Sequence, residues 1–437
     1  FFFLFLTPLS KKFEEILVSV ILINNLNQKE NYQYKNINVE EDYFEYIVIG
    51  SGPSGSINSY YLNQEYPGKV LLIEKGKDVS TFKKKHPQDE FISKWKNGGL
   101  NSTLFPLQIS FASGECLGGG SEINSGLFHK PGKKFLDSWS LNHNYIQPSK
   151  DEIDKHFDDL NEILSSDRIL PKSKSYKNFI EGCLKTKIQY EHVPQFYSLL
   201  NNPKVIKKNT MRSTFINLFL KNNGKIQTNF EVIKIKFSKK KRLWNIIGKK
   251  SGKTKTFLCK TLFLNGGAIY TNKILINSKL YQKEVSKFKF HPMIKMVVEF
   301  DNQVQQGFEN VHPIQFTDQN EKFIVGEASS GAQFIKMNFL KNLELFDDVK
   351  KNWKNMSVYH CTFSFGKGNL IKIPFFNKYF YSYNIEKNQI KVIKQALLQS
   401  MKVLFNGGVK RIFLAKSKGI DEFNLINYTA KILKINN

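Results

Sequence analysis

The stretch Tyr46-Ile47-Val48-Ile49-Gly50-Ser51-Gly52-Pro53-Ser54-Gly55 constrains the fold of this chain more than any other. A short β-branched apolar run that stops at glycine reads as a buried parallel strand. Ser56 to Tyr66 then reads as a helix, and Val70 to Ile73 as a second strand ending at Glu74. Strand, glycine turn, helix and strand in that order make a βαβ unit. Gly50 permits the tight turn, Gly52 lets backbone approach a pyrophosphate, and Gly55 lets the helix lie close to the strand. The helix N-terminus offers unpaired N–H groups and partial positive charge to the phosphates. Glu74 follows Gly55 by 19 residues, where an acid can take both ribose hydroxyls. The whole unit points to a dinucleotide site. An acid rather than Arg at position 74 argues against a 2′-phosphate, so NADP is disfavoured, and NAD and FAD stay open.

The rest of the composition narrows the field. At ~150 residues per domain, 437 residues suggest about three units or two larger ones. A hydrophobic content of 41% excludes wholesale disorder and a polytopic membrane protein. The net charge of +27 first suggests nucleic acid or an anionic membrane. Only Arg168, Arg212, Arg242 and Arg411 among the 65 cations are Arg, however, and bidentate readers of bases and phosphates are normally Arg-rich. A Lys surplus beside abundant Asn, Ile, Phe and Tyr is what AT-rich codons write, so a solvated, codon-biased surface is the preferred reading. Cys116, Cys183, Cys259 and Cys361 lie far apart, which indicates neither a disulfide framework nor a zinc site and fits a reducing, cytoplasmic setting. The apolar runs Phe1 to Leu6 and Ile16 to Ile23 fall far short of the ~18 to 20 residues needed to span a bilayer. No basic region precedes the first, so a signal peptide is poorly supported. Opening on Phe1 rather than Met, the sequence reads as a fragment.

Residues 27–42 are polar and read as a linker. Asp151 to Leu164 has helical apolar spacing, and Glu231 to Phe237 alternates as a half-buried strand does. Lys239 to Arg242 reads as a solvated hairpin tip, and Thr261 to Leu264 as a further buried strand before Asn265-Gly266-Gly267. Strands are expected over 293–300 and 358–365, a helix from Lys387 to Phe405, and a short strand from Arg411 to Leu414.

Residues 114–126, GECLGGGSEINSG, are rich in glycine yet too apolar for a linker. This segment resembles the flavin-binding loop of the glucose–methanol–choline (GMC) oxidoreductases, and its triple glycine is closest to the cholesterol oxidase branch. The resemblance implies FAD. It implies an α/β fold: a Rossmann-like FAD-binding domain with a parallel sheet, and a second, sheet-rich α+β substrate domain. Carried over, it places Gly119, Gly120, Asn124, Ser125 and Leu127 along the flavin, with Asn124 near its reactive edge. Pro53 and Ser54 would lie at the phosphates beside Gly50, Gly52 and Gly55, and Glu74 at the ribose. Met211 to Thr214 and Gly224 to Val232 resemble the stretch before the adenine-contacting strand, which puts Val232 at the adenine. Thr261 to Ser278 resembles the next strand, turn and helix, where Gly266 and Gly267 approach the dinucleotide. His291-Pro292 matches a His-Pro pair of many members, although a structural histidine is the preferred reading there. Ser357 to Phe413 resembles the later substrate domain and the return to the FAD domain.

The implied organisation is an N-terminal extension and linker over 1–42, and an FAD-binding domain from 43–145 and 205–292. The substrate domain takes 146–204 and 293–400, and 401–437 begins the return. The implied activity is oxidation of an alcohol or sugar-type CH–OH group, with hydride passing to flavin N5 and the hydroxyl proton to a base. Oxygen, a quinone or another carrier would take the electrons. Family members carry their catalytic His near the C-terminus, but no histidine follows His360 in this sequence. His360 sits in a strand-like run and reads as packed or at an edge, while His129, next to the flavin loop, is the only histidine near the expected cofactor. The base is therefore expected in a segment beyond Asn437. Two other readings stay open: a flavin-binding pseudoenzyme or inactive remnant, and a basic protein gripping nucleic acid or a membrane surface through Lys83 to Lys85 and Lys239 to Arg242. No aromatics interleave with those lysines, which ranks the second last; neither a nucleic-acid partner, a membrane span nor a metal is expected.

Overall fold

The computed structural model describes residues 42–424 except 81–86, 105, 133–135, 138–148, 166–172, 200–205, 282–284, 306–312, 329, 340–342, 374–377 and 417–418. The two N-terminal apolar runs, all but the last residue of the expected linker, Lys83 to Lys85 and everything after 424 lie outside the described residues.

The chain divides into two compact units. The first draws on Phe1–Ile123, Phe215–Lys289 and Lys367–Asn384. Its centre is a six-stranded sheet in the order Lys225–Gln227, Val70–Ile73, Tyr43–Ile49, Lys253–Leu264, Leu243–Lys250, Glu231–Ser238. The first four strands run parallel, and the last two add antiparallel hairpins. Val70–Ile73 is buried along its whole length, as a strand covered on both faces must be. Ile47, Ile49, Leu71, Ile73, Phe257 and Ile274 form the core beside it, each contributing about 1.5–3 kcal/mol by burial. Lys239 to Arg242 make the exposed tip between two of these strands. Thr261 to Leu264 are the end of a strand that begins at Lys253, longer than its apolar part because the hairpin's exposed end is polar. A three-stranded sheet of Val285–Phe288, Lys367–Ile373 and Lys378–Asn384 completes the unit.

The second unit draws on Asn124–Thr214, Phe290–Gly366 and Ile385–Asn437. Its seven-stranded antiparallel sheet runs Gly419–Asn424, Val409–Lys416, Met293–Phe300, Met356–Phe363, Phe323–Glu327, Ile314–Thr317, Glu191–His192. The helices Lys174–Thr186 and Lys387–Asn406 bury Phe179, Cys183, Val403 and Leu404 against Met296, Val325, Tyr359 and Cys361 on one face. Those two helices touch so closely at Gly182 that a Cβ there would lie 2.1 Å from the Val403 carbonyl oxygen. On the other face Ile335, Phe339 and Val349 cover Val297, Val358 and Phe413. The helix Lys150–Leu164 starts where the sequence places it because Ser149 and Glu152 form a reciprocal capping box. The Met356–Phe363 strand lies inside the sheet, so His360 is not at an edge.

Candidate functional site: a glycine turn with an open face

Three glycines of the first turn meet three different surroundings. Gly50 has φ +98°, and a Cβ there would lie 2.4 Å from the Asn265 carbonyl oxygen. A Cβ on Gly55 would lie 1.7 Å from the Gly50 carbonyl oxygen. Both glycines are therefore required by the protein's own backbone. Gly52 is different: its φ is −64°, and no atom lies within 4 Å of where its Cβ would be. It is also the N-cap of the helix Pro53–Glu65, with no side chain capping the first turn and Pro53 filling the opening position. The first-turn N–H groups of Ser54 and Gly55 thus lack intrahelical partners, beside exposed Pro53 and Ser54.

Glu74 closes the turn from the second strand. Its buried carboxylate accepts the Ser51 N–H at 2.9 Å and the Ser51 hydroxyl at 2.6 Å through Oε2, and the Gly76 N–H at 2.8 Å through Oε1. A carboxylate has about four acceptor positions, so one remains, on Oε1, for a ribose hydroxyl. The Ser51 hydroxyl in turn accepts the Gly118 N–H at 3.0 Å. A Cβ on Gly119 would stand 2.9 Å from Gly52 Cα, and one on Gly76 2.4 Å from the Cys116 nitrogen. The 50–55 turn and the 114–120 loop are therefore one packed body, with Gly120 exposed and open at its rim.

Two further segments join it. The Phe230 N–H donates to the Glu74 carbonyl at 3.0 Å, which brings half-buried Val232, at the start of Glu231–Ser238, beside the strand end. The Asn265 N–H donates to the Ile49 carbonyl at 2.7 Å, and a Gly50 Cβ would lie 2.9 Å from Gly266 Cα. The Asn265 side-chain oxygen is buried with no partner. An uncapped helix start and clear space over Gly52 form the kind of cradle a dinucleotide diphosphate fills.

Gly50, Gly52, Pro53, Ser54, Gly55, Glu74, Gly119, Gly120, Val232 and Gly266 thus fall together in the first unit. Asn124, Ser125 and Leu127 belong to the second. There the Asn124 side chain accepts the Gly126 N–H at 3.1 Å, and its carbonyl accepts from the Lys208 ammonium. Leu127 pairs across a β-bridge with Gln195. His291 is exposed. His129 is also exposed, and burial of the surrounding protein lowers its pKa. The four cysteines are all buried and free, and burial pushes each thiol up to about 12.

One feature carries no sequence signal. The Lys75 ammonium meets the Tyr270 hydroxyl at 3.0 Å, Glu115 at 3.0 Å and Glu231 at 3.2 Å, and Lys96 and Lys273 also stand over the Tyr270 ring. Desolvation lowers the pKa of Lys96 and Lys273, while at Lys75 the Tyr270 and carboxylate interactions outweigh desolvation and raise it. These residues come from five separate segments, so no spacing rule could have joined them. Among the described residues no helix is long and apolar enough to cross a membrane.

Residues 44–293 match the family model for GMC oxidoreductase. Among curated proteins, an uncharacterised GMC-type oxidoreductase, y4nJ of Sinorhizobium fredii, is 28% identical over 111 residues, 25% of this chain and 22% of that protein. An (R)-mandelonitrile lyase-like protein of Arabidopsis thaliana is 30% identical over 108 residues, 23% of this chain and 19% of its own length. The matched stretch thus spans about a fifth of each curated relative. Among solved structures, an Aspergillus oryzae formate oxidase aligns with a TM-score of 0.60 at 12% identity, over 90% of this chain and 86% of that one. A pyridoxine 4-oxidase from Mesorbium loti aligns at 0.60 with 11% identity, over 82% and 80%. At such identities the structural likeness speaks for the fold.

Proposed function

The chain belongs to the GMC oxidoreductase family, whose cofactor is FAD, and on that premise we propose that it oxidises the CH–OH group of a small alcohol or sugar-type substrate. The observation that supports this reading best is the open face over Gly52, bounded by an uncapped helix start and locked to the 114–120 loop. When bound, FAD supplies the acceptor for the hydride leaving the substrate carbon. In this proposal the Ser54 and Gly55 N–H groups hold the diphosphate, Oε1 of Glu74 takes a ribose hydroxyl, and Val232 borders the adenine. Gly266 holds the opposite wall of the turn. Gly119 and Gly120 would let backbone approach the flavin ring, and Asn124, Ser125 and Leu127 would line the flavin, with Asn124 near its reactive edge. Residues 43–145 and 205–292 would serve the cofactor, and 146–204 and 293–400 the substrate. No described residue is assigned as the proton acceptor. Both structural neighbours are oxidases, so oxygen is the electron acceptor carried into it, and a cytoplasmic setting is proposed from the unpaired cysteines.

The test has two arms. Titration of the purified chain with FAD, followed by flavin fluorescence, is expected to saturate at one equivalent; no uptake sinks the cofactor assignment. Anaerobic mixing of the full gene product with primary alcohols and aldoses is expected to bleach the flavin's visible absorbance. If FAD binds and no member of that panel bleaches it, the substrate class is wrong.

A further inference from the structure

Across the seven-stranded sheet one polar row runs against an otherwise apolar pattern. Lys295 faces His360, His360 faces Gly326, Gly326 faces Gln315, and Gln315 faces Glu191, in register over five adjacent strands. Directly paired residues share a face, with Cβ atoms about 4.5–5.5 Å apart. Two residues along, on the same face, Val297 and Val358 are sealed under the helices Ala332–Met337 and Leu343–Asn352. Among the described residues that cover ends at the row: Lys295 is exposed and His360 half-buried.

The end of the row around His360 is built but incomplete. The imidazole lies against Gly326: a Cβ there would touch His360 Cε1 at 3.4 Å, and the Ile314 carbonyl oxygen, 2.9 Å away, is what crowds it. His360 Nδ1 is buried with no hydrogen-bond partner. Burial, with smaller contributions from Lys295 and His129, pushes the ring's pKa down to about 4, so it is neutral near pH 7. With Nδ1 closed off from any acceptor, the proton of the neutral ring belongs on Nε2, which is left to donate. Among the described residues Lys295 has no carboxylate partner, and desolvation alone lowers its pKa. At the far end of the row Glu191 is already occupied, accepting from Gln315 at 2.8 Å and Thr317 at 3.2 Å. A lone ammonium next to a neutral N–H donor matches the charge and the two oxygens of a monoanion. A dianion would meet too little positive charge, and Glu191, which acts on His129, opposes it.

We propose that Lys295 and His360 bind the carboxylate of a small organic acid on this stretch of the sheet. The site belongs to the second unit alone and does not depend on the flavin assignment.

Isothermal titration of the full 437-residue chain with glycolate, ethylene glycol and inorganic phosphate tests it. Glycolate is expected to bind saturably, its uncharged counterpart ethylene glycol not to bind, and phosphate to bind more weakly than glycolate. K295M should weaken glycolate by about tenfold or more, the size of one charged hydrogen bond, while K295R stays within a few fold of the native chain. H360F should weaken it similarly, and H360Q, which restores a donor near the Nε2 position, should recover most of the loss. Equal responses to glycolate and ethylene glycol, tighter binding of phosphate, or unchanged glycolate binding by K295M would each overturn the proposal. The ligand comparison needs no variant to fold, and unchanged FAD uptake by K295M separates a lost carboxylate site from a failed flavin assignment.

Discussion

Gly52 and Gly55 are three residues apart in one turn, yet alanine should do opposite things at the two positions. In Gly55→Ala the new methyl would stand 1.7 Å from the Gly50 carbonyl oxygen, where non-bonded carbon contacts settle near ~3.5 Å. Both partners are backbone, held between a strand end and a helix start, so no side chain can swing aside. Overpacking of this kind costs about 1–3 kcal/mol, and the rigidity of the two elements puts this case at the upper end or beyond. In Gly52→Ala the methyl meets nothing within 4 Å and the φ of −64° suits any residue. The apo chain should melt at or slightly above the native temperature, because alanine restricts the unfolded chain by about 0.4–1 kcal/mol. Its cost should appear only with ligand. A phosphate kept from one backbone N–H loses a charged hydrogen bond of about 1.5–3 kcal/mol, or roughly 10- to 150-fold in affinity. Thermal melts of the FAD-free proteins and fluorescence titrations with FAD measure the two effects separately. If Gly52→Ala melts normally and still binds FAD with native affinity, the open face over Gly52 is not kept for a ligand. A native melting temperature for Gly55→Ala would refute the contact argument itself.

Two further outcomes follow from buried groups. Glu74→Gln puts an amide N–H₂ among three donors and leaves one of them without an acceptor, so the FAD-free chain should lose about 1–3 kcal/mol in urea unfolding; an unchanged midpoint would remove Glu74 from the turn's support. His360 has its pKa lowered from 6.5 to about 4, so between those values the unfolded chain binds a proton that the folded chain refuses. Its contribution is complete above the upper value and is lost as pH falls through the window, up to about 3 kcal/mol, the charged Lys295 and His129 adding to the penalty of burial. Urea midpoints of the native chain and of H360Q across that window measure the effect, and equal slopes for the two would contradict it.

Near-neighbour chemistry was legible without coordinates. The apolar run ending at Gly50, the helix after Gly52 and the acid at Glu74 are spaced by the dimensions of one βαβ unit, and the structure realises each in place. The apolar spacing from Asp151 to Leu164 marks a helix because side chains three and four apart share one face, and the structure has it over Lys150–Leu164. The hairpin tip at Lys239 to Arg242 follows from the alternation on either side of it. Each of these signals is local, decided by backbone geometry over a few residues.

What the tertiary structure decided lies between segments far apart in the chain. The identity of the glycines could be read from the motif, but only the packed turn distinguishes Gly50 and Gly55, closed by protein, from Gly52, left open. Glu74 could be placed at a strand end, whereas its hold on Ser51, and through Ser51 on Gly118, depends on two loops meeting. His360 read as an ordinary strand histidine. Its partners Lys295, Gly326, Gln315 and Glu191 come from four other strands, and period-2 alternation within one strand says nothing about which residues stand opposite. The sequence by itself determined the βαβ unit of this protein, because its strand, glycine turn, helix and second strand follow one another directly in the chain. Pairing register across the seven-stranded sheet decided the polar row, because cross-strand neighbours are chosen by the packing of the whole sheet.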